Sequence, residues 1–539
     1  MATIASTACG DGLRARGAAR PDAPAADPLL AFIDTEIRQT WNDNEVRPSD
    51  PAKDAEWLRR ATLDIAGRIP TVPEIERFRQ SPDEDKRALE VNRLLEDPGF
   101  VRHWTAVWTN LLIGRQTPER TSREGMERFL RDAFLHNRPW NEIVHDLLTA
   151  EGHFEENGAV NFLLGQLDGN PGREDYTVEA TARATRLFLG AQVQCTQCHN
   201  HPFNDWKQVQ FWEFDSFFKQ MRRSDHRKID PETGLPVEDY SELVWKNHSG
   251  PVYFEKRSGV MEVAYPRYAD REIDPGPYTD RRQQLAKLLA RDDTGQHLAR
   301  AMVNRMWGHF FGYGFTRPVD DMGPHNPPSH PDLLDRLTQE FVAADYNLQQ
   351  LIRWIANSEA YSLTSRFHDG NRIDNPVAGE APLFSRMYVK PMTAEQIYDS
   401  LLVATGAESV GPDGFEQAER QRREWLREFL LIFGGNDEDE PAQFNGSISQ
   451  ALLMMNGPLV LRASSPETGG ALQSVLNDDQ LSSDIQRIRH LYLASLGRNP
   501  SRRESAAAQK MVSAAKEKWT AYQDLYWVLL NANEFVLNH

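Results

Sequence analysis

Apolar residues recur at helical spacing through most of the chain. Leu29, Ile33 and Ile37 are separated by one helical turn each, which places them on one face of a helix. A second apolar run from Leu58 ends at Gly67, and glycine commonly ends a helix because it adopts the left-handed conformation without strain. These patterns predict consecutive short helices from residue 28 onward.

A glycine stop followed by a helix cap occurs twice. After Gly67, Thr71 and Glu74 have the spacing of a capping box, in which each residue satisfies a free backbone N–H of the other. The segment "IRHLYLASLGRNPSRRE" aligns without gaps with "LRRATLDIAGRIPTVPE", and it places Gly497 and Glu504 opposite Gly67 and Glu74. The pattern is consistent with a duplicated module or with a helical hairpin that obeys the same local physics twice.

The helical pattern fails between about residues 222 and 280. The segments "SELVWKN", "PVYFEKR" and "GVMEVAYP" are rich in β-branched and aromatic residues, which favours short antiparallel strands. Helical spacing resumes near Arg281, with Leu298, Met302, Met306 and Phe310 on one stripe. The sequence thus predicts a mainly α fold, with two helical domains joined by a small β-containing connection. The predicted segments are a tether over 1–27, a helical domain over 28–221, the connection over 222–280 and a second helical domain over 281–539.

Composition narrows the class of partner. A chain of 539 residues is too long for one ordinary core, which agrees with two domains. The net charge of −18 repels phosphate backbones and anionic lipid heads, so we expect no nucleic-acid partner. No apolar run is long enough for a transmembrane segment.

The chemistry of the chain is concentrated in "QCTQCHNHPFNDW". Two residues separate Cys195 from Cys198, and His199 follows Cys198 directly. Covalent haem attachment needs this order, because a short turn presents both sulfurs on one side and the adjacent histidine binds the iron. The motif therefore predicts haem c held by Cys195, Cys198 and His199, with His199 as an axial ligand of the iron.

Other ligands and chemistries fit the same residues. A zinc or iron site can use Cys195, Cys198, His199 and His201, with His330 or His153 as a remote ligand, because so short a loop hardly surrounds an ion. A redox dithiol is a third interpretation of the motif, although such a dithiol usually lies between a strand and a helix. For a haem, the candidates for the sixth ligand are His153, His309, His330 or a methionine.

Two longer patterns resemble a known pair of domains. "WLRRATLDIAGRIPTVPE" and "GAQVQCTQCHNHPFNDWKQVQFWEFDSFF" resemble the planctomycete cytochrome c-like domain, whose centre reads C-x-Q-C-H-x-H-P-F-x-x-W. "VNRMWGHFFGYGFTRPVDDMG" and "LIRWIANSEAYSLTSR" resemble its usual C-terminal partner domain. Both are families of largely unknown function, and the likeness extends from about residue 28 to the C-terminus.

The resemblance implies a mostly helical, exported bacterial protein. The first residues, "MATIASTACGDG", are similar to the end of a lipoprotein signal whose charged part is truncated, with Cys9 as the candidate lipid anchor. We therefore expect a periplasmic or cell-envelope location.

Two functions follow from these patterns. The leading expectation is a c-type cytochrome-like electron carrier or redox subunit with one covalent haem and a redox or envelope protein as partner. The alternative is a non-redox envelope protein, either a metal-dependent hydrolase or a binding scaffold, that holds zinc or iron at the Cys/His cluster. The sequence leaves open whether the protein is an enzyme and what its substrate is.

Overall fold

The computed structural model describes residues 27–115, 118–167, 173–291, 296–406, 426, 447–457, 460–461, 464 and 471–539. Helices dominate these residues and the strands form only small sheets, which confirms the prediction of a mainly α fold. The predicted tether lies outside the described residues except for Asp27, and its candidate lipid anchor Cys9 lies outside them too.

The described residues contain helices from Pro28 to Val536 and strands from Gly152 to Asn538. The helices are α1 (Pro28–Asp43), α2 (Asp54–Ala66), α3 (Val72–Gln80), α4 (Lys86–Leu95), α5 (Pro98–Ile113), α6 (Arg123–Leu135), α7 (Trp140–Thr149), α8 (Val160–Leu164), α9 (Val178–Ala184), α10 (Gln208–Asp215), α11 (Arg281–Leu289), α12 (His297–Phe311), α13 (Pro331–Ala343), α14 (Leu348–Ala356), α15 (Glu359–Ser362), α16 (Ala394–Thr405), α17 (Ile448–Asn456), α18 (Ala471–Asn477), α19 (Asp484–Leu496), α20 (Arg502–Ala514), α21 (Lys518–Leu530) and α22 (Asn533–Val536). The strands are β1 (Gly152–His153), β2 (Met221–Ile229), β3 (Pro236–Trp245), β4 (Val252–Glu255), β5 (Met261–Ala264), β6 (Arg267–Tyr268), β7 (Arg271–Glu272), β8 (Lys390–Pro391) and β9 (Leu537–Asn538).

The first helix forms as its apolar stripe predicts. Pro28 occupies its first turn, where a missing N–H costs nothing, and the Asp27 side chain accepts a hydrogen bond from the Leu29 N–H at 2.9 Å. Leu29, Ile33 and Ile37 are buried on one face. Local capping and burial of one stripe therefore determine this element.

The turn between α2 and α3 is the predicted glycine stop and capping box. Gly67 has a φ of 72°, and the Thr71 N–H donates to the Glu74 carboxylate at 2.7 Å. Arg68 donates two parallel hydrogen bonds to the same carboxylate, at 2.8 and 2.9 Å. Such a bidentate pair adds geometric specificity to the charge interaction, so it fixes the direction in which the chain enters α3.

The turn between α19 and α20 has the same construction. Gly497 has a φ of 71°, and Arg498 forms a bidentate pair with Glu504 at 2.9 Å for both bonds. The helices that precede the two turns also touch, because Arg59 of α2 donates to the Ser495 carbonyl of α19 at 3.2 Å. The two aligned segments thus share a stop, a cap and an ion pair, and they pack against each other in the fold.

The strands lie mainly where the helical spacing fails. β2 and β3 form a long antiparallel hairpin, and β1 adds to the other edge of β3. β4 pairs with β5 in a second hairpin, with Tyr253 opposite Val263. Helix α10 ends at Asp215, a 3-10 turn covers Ser216–Phe218, and β2 begins at Met221, one residue before the predicted connection.

The buried apolar residues form two clusters. The larger cluster extends from Leu29 to Tyr388 and includes both α1–α10 and α11–α15, together with Leu493. The smaller cluster joins Leu63 and Ile69 to residues between 392 and 536. Apolar packing is therefore continuous across the β-containing segment, while the domain boundaries remain a prediction.

A buried ion pair lies where α2, α12 and β8 meet. The Lys390 ammonium is 2.7 Å from the Asp64 carboxylate, which is fully buried. Lys390 also donates to the Phe310 carbonyl at 2.9 Å, near the C-terminal end of α12. The Tyr361 hydroxyl and the Asn538 amide donate to Asp64, each at 2.7 Å. Every charge of the pair is thus paired and hydrogen-bonded, as a buried ion pair requires.

Two buried imidazoles lie beside this ion pair. The rings of His103 and His309 have centroids 5.5 Å apart, and His309 Nε2 donates to the Asp64 carbonyl at 3.0 Å. Burial lowers the pKa of each histidine from 6.5 to about 3. The unfolded chain therefore binds these protons below pH 6.5 and the folded chain does not. The corresponding stability is present above that pH and is lost as the pH falls toward 3, by about 1.4 kcal/mol per pH unit for each ring.

Replacing His309 by glutamine tests this linkage. The glutamine amide retains an N–H donor for the Asp64 carbonyl but binds no proton. Between about pH 6 and pH 4, we expect the slope of the unfolding free energy against pH to decrease by about 1.4 kcal/mol per unit, measured by urea unfolding. The matched control is His136→Gln, because the His136 side chain is 63% exposed and should leave the slope unchanged. An unaltered slope in His309→Gln contradicts the assignment.

Candidate functional site

The two cysteines of the motif lie on a short turn that is held by a buried threonine between them. A 3-10 turn covers Gln194–Gln197, and the Cys198 N–H donates to the Cys195 carbonyl at 3.3 Å. The Thr196 hydroxyl between them is buried and donates to the Val193 carbonyl at 2.5 Å. Because Thr196 points inward, both cysteine side chains remain exposed, and both are free thiols.

His199 has one ring nitrogen fixed by the backbone. It is exposed, and its Nδ1 lies 2.7 Å from the carbonyl oxygen of Asn200. A carbonyl only accepts, so Nδ1 carries the proton and Nε2 retains its lone pair. His199 therefore directs Nδ1 at the backbone and leaves Nε2 available as a ligand atom, next in the chain to Cys198.

His201 has the opposite tautomer. Its Nδ1 accepts hydrogen bonds from the N–H groups of Phe203 at 3.2 Å and Asn204 at 2.9 Å, which leaves the proton on Nε2. Burial lowers the pKa of His201, so the ring stays neutral. The backbone N–H of His201 donates to the Trp206 carbonyl at 2.8 Å. His201 thus holds the second half of the loop together and has no free lone pair in this arrangement.

Helix α10 fixes the motif to the fold. The Gln208 amide donates to the Gln197 carbonyl at 3.1 Å and to the Glu255 carbonyl of β4 at 3.0 Å. The Trp212 indole donates to the same Gln197 carbonyl at 3.1 Å. The motif is followed by aromatic residues that are buried in the core, namely Phe211, Phe214, Phe217 and Phe218. Phe203 is exposed and Trp206 is half-buried.

A loop from the C-terminal half of the chain packs beside the motif. The Met322 N–H donates to the Gly190 carbonyl at 2.7 Å. Partial burial raises the pKa of the Cys195 thiol, and the nearby Asp321 carboxylate raises it further. A raised pKa is the opposite of what a reactive redox dithiol needs. The Asp321 carboxylate lies 3.1 Å from His325 Nε2, whose ring is 5.7 Å from that of His201.

A cleft of about 510 Å³ opens beside this loop. Its lining comes from the segment just before the motif, from the last residue of the motif, from β6, from the N-terminal end of α12, from the loop around Met322 and from α13. The lining residues are Leu189, Ala191, Trp206, Tyr268, His297, Arg300, Thr316, Met322, Gly323, Pro324, Asn326, Pro327, Pro328 and Leu334. This volume lies within the roughly 300–1,000 Å³ of small-molecule sites.

The remote histidines have other partners. His330 Nδ1 lies 2.9 Å from the Ser329 hydroxyl, and burial lowers the pKa of His330 to about 4. The His153 ring is 4.3 Å from that of Tyr240 on β3, and His309 donates to the Asp64 carbonyl. Across the described residues, no three histidine, cysteine, aspartate or glutamate side chains lie close enough together to hold a metal ion.

The sequence identified the Cys195–His199 turn but not the residues that pack beside it. Asp321, Met322 and His325 lie in "VDDMGPHNPP", a proline-rich loop between two helices. Asp321 Oδ1 and His325 Nδ1 are buried without a hydrogen-bond partner among the described residues. The sequence signal for this neighbour of the motif is a proline-rich loop that carries carboxylate, thioether and imidazole side chains.

Two family models match the chain. Residues 32–223 match PSCyt2, described as a protein of unknown function (DUF1549). Residues 281–512 match PSD1, described as a protein of unknown function (DUF1553). Neither a curated protein nor a solved structure matches the chain. Every helix of the described residues is too short or too polar to cross a lipid bilayer.

Proposed function

Because this chain belongs to the planctomycete family that pairs a PSCyt2 domain with a PSD1 domain, we propose that it is a c-type cytochrome-like protein of the cell envelope. It would be exported and would hold one haem covalently through Cys195 and Cys198, with His199 as axial ligand. A bound haem supplies one-electron redox chemistry. The proposed role is therefore that of an electron carrier or redox subunit.

The tautomer of His199 is the observation that carries this proposal. The Asn200 carbonyl holds Nδ1–H at 2.7 Å and leaves Nε2 as the free ligand atom, beside two exposed, unpaired thiols. A metal-binding histidine usually donates the N–H of its other ring nitrogen to such a partner, which orients the ring and raises its basicity. The donor set and its exposure fit the attachment of a group that approaches from outside the fold.

The surrounding residues support a rigid attachment. Thr196 and Gln208 tie the turn to Val193 and β4, so the thiols keep their position when the group binds. The unpartnered Asp321 Oδ1 and His325 Nδ1 lie in the adjoining loop. Polar atoms of this kind are normally satisfied by a bound group or water.

The alternative places zinc or iron on Cys195, Cys198, His199 and His201, in a non-redox hydrolase or scaffold. It needs a lone pair on His201, whose Nδ1 already accepts two backbone hydrogen bonds. A metal there would have to break this part of the loop. The haem proposal needs no such rearrangement.

Production of the exported full chain in a host with haem-ligation machinery tests the proposal. We expect an intense Soret absorbance that remains with the protein after acid–acetone extraction. Cys195→Ala combined with Cys198→Ala should abolish it, because no thioether bond can form. His199→Ala should retain covalent haem but alter its spectrum, because an axial ligand is lost.

His201→Ala is the matched control for His199→Ala. It removes a neighbouring imidazole that the haem proposal does not use, so the spectrum of the folded variant should keep the axial ligation of the parent. Colourless exported protein that contains zinc, and that loses zinc in His201→Ala, contradicts the proposal and favours the alternative.

A further inference from the structure

The cleft beside the motif combines apolar walls with one polar corner. Trp206 contributes a flat apolar surface and Met322 a flexible one. A rigid wall is added by Pro324, Pro327 and Pro328. Prolines limit the motion of this wall because their φ angle is fixed. A ligand body that fits here is flat and mainly apolar.

Three side chains form the polar corner. The Tyr268 hydroxyl lies 2.8 Å from His297 Nδ1, and Arg300 follows His297 by three residues on α12. Burial raises the pKa of Tyr268 and lowers the pKa of His297. The phenol thus keeps its proton and donates a hydrogen bond to Nδ1, so that the neutral imidazole carries its own proton on Nε2.

The polar corner contains one permanent cation and further donors. Arg300 supplies a permanent cation, His297 Nε2 supplies an N–H donor, and the N-terminal end of α12 adds partial positive charge. Arg300 is also paired with Asp335 of α13, whose side chain is 52% exposed to solvent. A solvent-exposed carboxylate competes weakly for the guanidinium, because surface ion pairs contribute little.

We propose that this cleft binds a flat, apolar carboxylate, with its carboxylate at Arg300 and His297 and its body against Trp206, Met322 and the proline wall. Two sources have this chemistry: a free aromatic carboxylate, and the propionate groups of a haem attached at Cys195 and Cys198. The second source rests on the proposed function, and the first does not.

Calorimetric titration of the full chain, produced without haem-ligation machinery, tests the site itself. The probe is 2-naphthoate, and its neutral control is 2-naphthalenemethanol, which has the same ring system without the charge. We expect naphthoate to bind at least about tenfold more tightly than the alcohol, because the carboxylate forms charge-assisted hydrogen bonds. Equal affinities would overturn the proposal.

Two variants isolate the guanidinium. Arg300→Ala and Asp335→Ala both break the Arg300–Asp335 ion pair, but only the first removes the charge that lines the cleft. Arg300→Ala should remove the preference for naphthoate. Asp335→Ala should keep or strengthen it. The same loss in both variants would show that the ion pair merely supports the fold, and it would overturn the assignment of Arg300.

The haem-loaded protein distinguishes the two sources. If naphthoate still binds, the site takes a free carboxylate. If it no longer binds and Arg300→Ala lowers the reduction potential of the haem, the propionates occupy the corner. If no haem is ever attached, the proposed function fails while the titration of the haem-free chain still decides the carboxylate site.

Discussion

Replacing Asp64 by asparagine is expected to lower the free energy of unfolding by about 3–5 kcal/mol, because it leaves the Lys390 ammonium as an unpaired buried charge. The Asp64 carboxylate accepts from Lys390, Tyr361 and Asn538, and it is completely buried. Burial already lowers the pKa of Lys390, so the loss of its counter-ion further favours the neutral amine. Urea-induced unfolding at neutral pH measures the effect.

The chain contains a matched control for this pair. Asp484 also accepts from one lysine and one tyrosine, Lys518 at 2.8 Å and Tyr522 at 2.7 Å, but Lys518 is 58% exposed. Asp484→Asn should cost no more than about 1 kcal/mol, as exposed pairs do.

A double variant separates charge from packing. In Asp64→Asn with Lys390→Met no unpaired charge is buried, so part of the lost stability should return. Equal costs for Asp64→Asn and Asp484→Asn would contradict the view that burial makes the Asp64 pair important.

Alanine at Gly67 is expected to destabilise the protein by about 2–5 kcal/mol, and the same change at Gly497 by about 1–2 kcal/mol. The two glycines have nearly equal φ angles, 72° and 71°, so the left-handed strain of an added Cβ is the same. Their surroundings differ. A Cβ at Gly67 would lie 2.5 Å from His103 Nδ1, whereas at Gly497 the nearest atom is Arg59 Cβ at 3.8 Å.

The comparison of these two variants measures the clash alone. Because the strain cancels, the difference between their unfolding free energies reports the displacement of the buried His103 ring. Thermal or urea unfolding of both variants provides it. Similar stabilities for the two variants would mean that the His103 ring moves aside at little cost, and they would contradict the prediction.

Elements with a local signal were predictable from the sequence. The Gly67 stop and the Thr71–Glu74 capping box are formed as the spacing predicts, since caps depend only on neighbouring residues. Strand β2 lies in the predicted β-containing connection, but none of the segments that predicted individual strands covers it. Most of its residues are exposed or half-buried, so the segment lacks the alternation of apolar and polar residues that reveals a strand.

The candidate site was predictable in the same local sense. The spacing of Cys195 and Cys198 indicates a tight turn with both sulfurs on one side and His199 next to them, and all three side chains are exposed on such a turn. The sequence did not show that His201 is committed to the N–H groups of Phe203 and Asn204. Which tautomer a histidine adopts depends on the partner that each ring nitrogen meets.

By itself, the sequence determined the helical class, the two capped glycine stops and the cysteine–histidine turn, because each depends on residues within a few positions of one another. Only the tertiary structure decided what faces that turn. It placed Asp321, Met322 and His325 beside the motif and created the cleft with Arg300. Contacts between residues so far apart in the chain follow from the packing of whole helices, and no local spacing encodes them.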